Sequence, residues 1–120
     1  MRQKIIVKNA FIKENELIAE TETNLEGLTP RNQMLVDSDG AAFIYIAEGA
    51  EDYTYIAFPE AVWAALKEAR EHNNPVFLVS GDNRLELTGI HEELSDLLVN
   101  IEGNGNYGDE FVSKVEQVFM

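Results

Sequence analysis

Apolar and polar residues alternate along the first part of the chain, and this two-residue period is typical of half-buried strands. The segment QKIIVKNAFIKENELIAETETNLEG predicts a β-hairpin. A three-residue loop at positions 14–16 places Lys8 opposite Glu22 on the solvent side. A two-residue loop instead places Glu22 opposite the apolar Val7, so we expect the three-residue loop.

The next stretch, QMLVDSDGAAFIYIAEGAEDYTYIAFP, predicts three short strands in an antiparallel meander, with turns at positions 37–40 and 48–52. We expect odd-numbered positions to share one face of this meander and even-numbered positions to share the other. If a helix covers the odd face, that face belongs to the core. If it stays open, it forms an interaction surface of four aromatic residues: Phe43, Tyr45, Tyr53 and Tyr55.

Helical spacing of apolar residues dominates the second half. A central helix begins near Pro59, whose missing N–H costs nothing at a helix start, and ends at 73–75. The segment VFLVSGDNRLELTG predicts a second hairpin, and two helices follow, over 90–102 and from about Asp109, which we expect to cap the last one. This order predicts an α+β fold, with a mostly antiparallel sheet packed against the central helix and a C-terminal helix pair, in a single domain over 1–120.

The composition narrows the range of partners. The chain has 120 residues, 22 of them acidic and nine basic, which gives a formal net charge of −13. This charge opposes binding to nucleic acid or to an anionic membrane surface and favours a basic protein partner or a cation. There is no cysteine, so disulfides, thiolate metal sites and thiol nucleophiles are excluded. The longest uncharged apolar run, 40–47, is too short to span a bilayer, and lysines interrupt any export signal, so we expect a cytoplasmic protein.

The hexapeptide GNGNYG at 103–108 has the spacing of a phosphate-binding GxGxxG loop. Such a loop must follow a strand and open a helix, whereas a predicted helix precedes this one. From 89 to 120 there are seven acidic residues and one lysine, a poor environment for a phosphate. We therefore expect a connector between two helices, with Gly103 as a left-handed helix end, and no nucleotide or other cofactor.

Other candidate motifs are incomplete. The Asp37-Ser38-Asp39-Gly40 stretch lacks the later ligands of a calcium-binding loop and predicts a turn. His91-Glu92 fails the HExxH pattern of zinc sites by one residue, and no serine lies in a GxSxG pattern. The sequence therefore predicts no metal site and no catalytic residue, which argues against an enzyme.

Three stretches resemble a known family. QMLVDSDG, FPEAVWAAL and NIEGNGNYGDEFVSKVEQVF are similar to the YjbL-like family of small, uncharacterised cytoplasmic proteins from spore-forming Gram-positive bacteria. The resemblance extends over essentially the whole chain, and its LVDSD and NIEGN-x-NYG stretches are specific. It implies a stand-alone domain and carries no activity, substrate or catalytic residue to these positions.

Three hypotheses about function follow. The first is a non-enzymatic, acidic interaction or regulatory domain, in which Tyr45, Tyr53 and Tyr55 keep exposed ring surface. The second is a small-molecule-binding or catalytic domain, in which the loops at 37–39 and 104–107 converge on a pocket. A homodimer formed by pairing an exposed sheet edge is compatible with either. The sequence does not choose among them, nor does it give the strand order.

Overall fold

The computed structural model describes residues 3–120, which form eight strands, three α-helices and two short 3-10 turns. The α+β class predicted from the sequence is confirmed. The helices are α1 (Trp63–Glu71), α2 (Ile90–Ile101) and α3 (Asp109–Phe119), and the 3-10 turns are Glu60–Val62 and Gly105–Tyr107. The strands are β1 (Gln3–Ile6), β2 (Asn9–Lys13), β3 (Glu16–Glu20), β4 (Thr29–Asp37), β5 (Ala42–Glu48), β6 (Tyr53–Pro59), β7 (Val76–Ser80) and β8 (Asn83–Glu86).

The strands are divided between two mixed sheets of four strands each. In the first sheet the order is β1-β6-β5-β4, with β1 parallel to β6 and the other neighbours antiparallel. In the second sheet the order is β2-β3-β7-β8, with β3 parallel to β7. The predicted meander and the predicted later hairpin are both present, and the division into two sheets is new information from the structure.

The predicted three-residue loop of the first hairpin is wrong. Lys13 pairs with Glu16, so the loop contains only Glu14 and Asn15. The objection to this loop, a carboxylate opposite Val7, does not arise because the chain leaves the hairpin before that point. The Val7 N–H donates to a carbonyl of β6, while the next N–H, of Lys8, donates to β3. The first strand therefore joins the other sheet.

The turn of this hairpin carries backbone strain that can be relieved. Glu14 and Asn15 have φ values of 53° and 66°, the left-handed pair required by a type I′ turn, for which Asn-Gly is the preferred sequence. We expect the double substitution Glu14→Asn with Asn15→Gly to raise the free energy of unfolding by about 0.5–1.5 kcal/mol, measured by urea denaturation. Glu14→Gln removes the same charge and keeps the strain, so an equal gain in that variant would contradict the argument.

One main core is enclosed by the inner faces of both sheets and the apolar sides of the three helices. Its centre is an aromatic group in which Phe43 of β5 contacts Trp63, Phe111 and Phe119 at ring-centroid distances of 5.2–6.1 Å. The Trp63 indole N–H donates to the Phe58 carbonyl at 2.8 Å, which satisfies its polar atom inside the core. This group joins the first sheet to α1 and α3.

The end of α2 and the start of α3 fix the glycine-rich connector. Gly103 follows α2 with φ = 66°, so the predicted left-handed helix end is confirmed. The predicted cap of α3 is wrong, because Asp109 is already the first helical residue and Gly108 precedes it without a side-chain cap. The acidic residues of this first turn still complement the positive end of the helix.

No helix formed by residues 3–120 has the length and apolar character needed to cross a membrane.

Candidate functional site

The four aromatic residues predicted to share a face are divided between opposite faces of the first sheet. Tyr45 pairs with Ile56 and Phe43 pairs with Phe58, so odd positions of β5 lie beside even positions of β6. Phe43 and Tyr45 consequently point into the core and are fully buried. Tyr53 and Tyr55 lie on the outer face, and the prediction of one shared aromatic face is wrong.

The parity of the β5–β6 loop is the physical reason. Glu48 pairs with Tyr53, which leaves four residues, 49–52, in the loop. An even number of loop residues pairs odd positions with even ones, whereas the predicted arrangement requires an odd number. Because side chains alternate between faces, this difference exchanges the faces of every residue in β6 relative to β5.

The outer face of the first sheet carries an apolar surface that the sequence pattern did not assign. Ile6, Leu35 and Tyr53 are 53%, 39% and 38% exposed, and the strand register places them on the same face. We call this surface the outer patch; its members are Ile6, Leu35, Ile44, Ile46, Tyr53 and Tyr55. A patch with an apolar centre that includes tyrosine is typical of protein contact surfaces.

An ion pair shows that the outer patch is curved. Lys4 on β1 and Asp37 on β4 belong to opposite edge strands of the sheet, yet their charged atoms are 3.9 Å apart. Both side chains project from the outer face by register, so the sheet must curl toward this face. The curl agrees with the burial of small residues at its centre, where Ala42 and Ala57 pack with Ile44.

A second ion pair restrains one side of the patch. The Arg31 guanidinium lies 3.1 Å from the Glu48 carboxylate and 5.8 Å from the centre of the Tyr53 ring. The cation over the ring face orients Tyr53 while leaving its other surface open. The Arg31–Glu48 pair therefore places fixed charges at this margin of the outer patch, while the Lys4–Asp37 pair crosses its face.

The two loops of the second hypothesis do converge. Ser38, Asp39 and Ala41 line one wall of a cleft of about 250 Å³, which we call the loop cleft. The opposite wall is formed by Tyr107, Gly108, Glu110, Phe111 and Lys114. The Lys114 ammonium lies 3.5 Å from Glu60 and 3.7 Å from Glu110, so carboxylates already neutralise it. Asn104 does not reach the cleft wall, because its amide nitrogen donates to the Asn100 carbonyl.

The backbone of the glycine-rich hexapeptide is occupied by the protein itself. Five of its N–H groups donate to acceptors in the same segment or in the adjoining helices: those of Gly103, Asn104, Asn106, Tyr107 and Gly108. The segment joins α2 to α3 and does not follow a strand. The prediction of a connector is therefore confirmed, and the hexapeptide is not a phosphate loop.

The two histidines have structural contacts. The His91 Nε2 donates to the Asn74 carbonyl at 2.6 Å, which ties the start of α2 to the segment before β7. The His72 Nδ1 lies 3.0 Å from the Glu68 carbonyl at the end of α1. Within residues 3–120, neither histidine is hydrogen-bonded to a serine.

Comparisons with known proteins agree with the resemblance noted from the sequence. The model of UPF0738, described as a family of unknown function, matches residues 5–119. A UPF0738 protein of Anoxybacillus flavithermus is 48% identical over 116 residues, covering 97% of this chain and 86% of that protein. The UPF0738 protein YjbL of Bacillus subtilis is 44% identical over 122 residues, covering all of both chains. No solved structure matches.

Proposed function

We propose that this chain, which belongs to the UPF0738 family, is a non-enzymatic interaction domain that binds a partner protein through the outer patch. A cytoplasmic location is part of the same proposal. The observation that carries it is the grouping of exposed apolar side chains. Among residues 3–120, six large apolar side chains are exposed, and three of them, Ile6, Leu35 and Tyr53, lie together on this one face.

The curved shape of the patch supports recognition of a protruding apolar group. Ile44, Ala42 and Ala57 form a buried floor, while Ile6 and Leu35 remain exposed on the two edge strands. An apolar group of a partner placed over this face would remove water from Ile6 and Leu35, since the floor itself is already buried. Burial of this kind supplies most of the binding free energy at protein interfaces.

The charge of the chain indicates the character of the partner. Among residues 3–120, six of the eight basic residues are paired with carboxylates: Lys4, Lys8, Arg31, Lys67, Arg84 and Lys114. The remaining surface charge is strongly acidic. We therefore propose a partner with an apolar anchor surrounded by basic residues, and we expect salt to slow its association.

The test is affinity capture followed by direct binding measurements. The wild-type chain and the double variant Ile6→Ser with Leu35→Ser are immobilised and exposed to lysate from the source cells. A protein captured only by the wild type is then purified, and its dissociation constant is measured with both chains by calorimetry. We expect the double substitution to weaken binding at least tenfold, or about 1.4 kcal/mol, because it removes two apolar contacts from the interface.

The matched control removes equal apolar character elsewhere. Val99 and Met120 are also exposed, and Val99→Ser with Met120→Ser should leave binding unchanged. Recovery of the same partners with equal affinity by all three chains would show that the outer patch does not carry the interaction.

The convergence of two loops on the loop cleft favours a second candidate function, the binding of a small polar molecule. Asp39, Glu110 and Lys114 give the cleft a mixed, slightly acidic lining beside the Tyr107 ring, which suits a small amine or zwitterion. Titration of such compounds should shift the amide resonances of Ser38 and Tyr107 in NMR spectra, and Asp39→Asn should remove the response. Unchanged spectra across amines and zwitterions would reject this candidate.

A further inference from the structure

The second sheet has an open edge at β2. In the β2–β3 hairpin, Lys13 pairs with Glu16 across the two-residue turn and Phe11 pairs with Ile18. The pair that closes a two-residue turn, Lys13 with Glu16, is hydrogen-bonded, and such pairs alternate along an antiparallel hairpin. Lys13, Phe11 and Asn9 therefore bond to β3. The N–H and C=O groups of Ala10 and Ile12, which lie between them, point away from β3. Within residues 3–120, no other strand pairs with this side of β2. The edge therefore presents two donors and two acceptors at regular spacing.

We propose that a second copy of this chain pairs with β2, antiparallel, about a two-fold axis at Phe11. In this register Ala10 of each copy lies opposite Ile12 of the other, and the two pairs exchange four N–H···O bonds. The pattern is self-complementary because the free groups lie one residue before and one residue after the axis. The paired edges close the assembly at two copies, as two-fold contacts do.

The side chains on the solvent-facing side of the second sheet support this register. The axis places Phe11 directly opposite Phe11 of the second copy at a non-hydrogen-bonded position, where side chains approach most closely. Aromatic pairs at such positions stabilise strand pairing. Phe11 is 37% exposed in the single chain and lies in a row with Ile18 and Phe77. Pairing would extend this row across both copies.

The charges are complementary in the same register. Lys13 makes no ion pair within residues 3–120, because Glu16, its neighbour in the hairpin, is held by Arg84 at 2.9 Å. Across the axis, Lys13 lies opposite Asn9 of the second copy, and Glu20 of that copy is the next residue in the same row. Two strand spacings, about 10 Å, separate Lys13 from this residue, and the extended lysine and glutamate side chains together span that distance. Each copy would thus supply a cation to an acidic residue of the other.

The test uses the whole chain and measures its mass in solution. By sedimentation from micromolar to millimolar protein, we expect the wild type to change from one copy to two. Ala10→Pro removes an outward N–H and blocks the edge, and it leaves the bonds to β3 intact, as proline is tolerated at such edge positions. We expect this variant to remain a single copy at every concentration, with the circular dichroism spectrum of the wild type.

A charge exchange at position 11 tests the axis itself. Phe11→Glu and Phe11→Lys each place like charges opposite each other, so we expect each variant alone to dimerise at least tenfold more weakly than the wild type. An equimolar mixture should form a dimer containing one of each, because position 11 then faces the opposite charge.

Amide exchange gives a measurement that requires no substitution. In the wild type, exchange of the Ala10 and Ile12 amides should slow as protein concentration rises. A wild type that is a single copy at millimolar concentration, or a dimer that persists in Ala10→Pro, would overturn the proposal. Ile6→Ser with Leu35→Ser should leave the dimer intact, so this result is separate from that for the outer patch.

Discussion

Phe43→Ala is expected to lower the free energy of unfolding by about 3–5 kcal/mol, whereas Tyr53→Ala, on the neighbouring strand of the same sheet, should change it by less than about 1 kcal/mol. Phe43 is fully buried and packs against Trp63, Phe111 and Phe119. Its truncation removes these apolar contacts and leaves a cavity between the first sheet and the helices α1 and α3. Urea denaturation of both variants measures the difference.

The same pair of variants tests the division of the aromatic residues between two faces. A shared, solvent-facing surface requires small and similar effects at both positions. A register with Phe43 inside and Tyr53 outside requires a large effect at one and a small effect at the other. Equal effects would contradict the observed pairing of β5 with β6. The outer patch would then be wrong as well, because this pairing decides which residues belong to it.

Elements that depend on neighbouring residues could be predicted from the sequence. The helix spacing from Ile90 onward and the turn at Gly81 correspond to α2 and to the β7–β8 hairpin. The left-handed Gly103 is also a local property, because it is set by the end of one helix. Local geometry restricts these positions strongly enough that composition and spacing identify them.

Pairing between distant strands could not be predicted in the same way. β1 pairs with β6 about fifty positions later, and β3 pairs with β7 about sixty positions later. Neither parallel pair is indicated by alternation alone, since parallel strands are joined by crossovers rather than tight turns. The separation of the N-terminal strands into two sheets follows from these pairings.

The candidate site depended on one detail of pairing. Four loop residues rather than an odd number separate Glu48 from Tyr53, and this parity decided which aromatic residues reached the surface. Ile6 and Leu35 were missed because their strands had to be placed at opposite edges of one sheet before they could share a face with Tyr53. Tyr53 and Tyr55 were predicted correctly to share a face, because they lie two positions apart in a single strand; which face that is could not be predicted.

The buried Tyr45 hydroxyl connects three elements of the fold. It donates to the Thr88 carbonyl at 2.5 Å and accepts from the Asn32 N–H at 3.3 Å. Asn32 has φ = 56° within the irregular part of β4, and Thr88 precedes α2, so the hydroxyl holds β5, β4 and the start of α2 together. Thr88 and Asn32 are also joined by a side-chain hydrogen bond.

Tyr45→Phe is therefore expected to lower the free energy of unfolding by about 1–3 kcal/mol at neutral pH, because it leaves a carbonyl and an N–H without their partner. The substitution removes one oxygen and keeps the ring, so the loss measures the hydrogen bonds rather than packing. Tyr53→Phe on the outer face is the control and should have little effect. A loss no larger than the control's would show that water satisfies both backbone groups in place of the hydroxyl.

The same variant should change the response of the protein to alkaline pH. Burial raises the pKa of Tyr45 above 10.0, and the nearby carboxylates Glu86 and Glu93 raise it further, against the hydrogen bonds with Thr88 and Asn32. In the unfolded chain the phenol loses its proton near pH 10, while the folded chain retains it. The stabilisation is complete below pH 10 and decreases as pH rises through the folded pKa, by up to about 1.4 kcal/mol per pH unit for one proton. Tyr45→Phe removes this contribution, so its unfolding free energy should fall less steeply above pH 10 than that of the wild type. Equal slopes in urea titrations at successive pH values would show that the Tyr45 proton is not linked to folding.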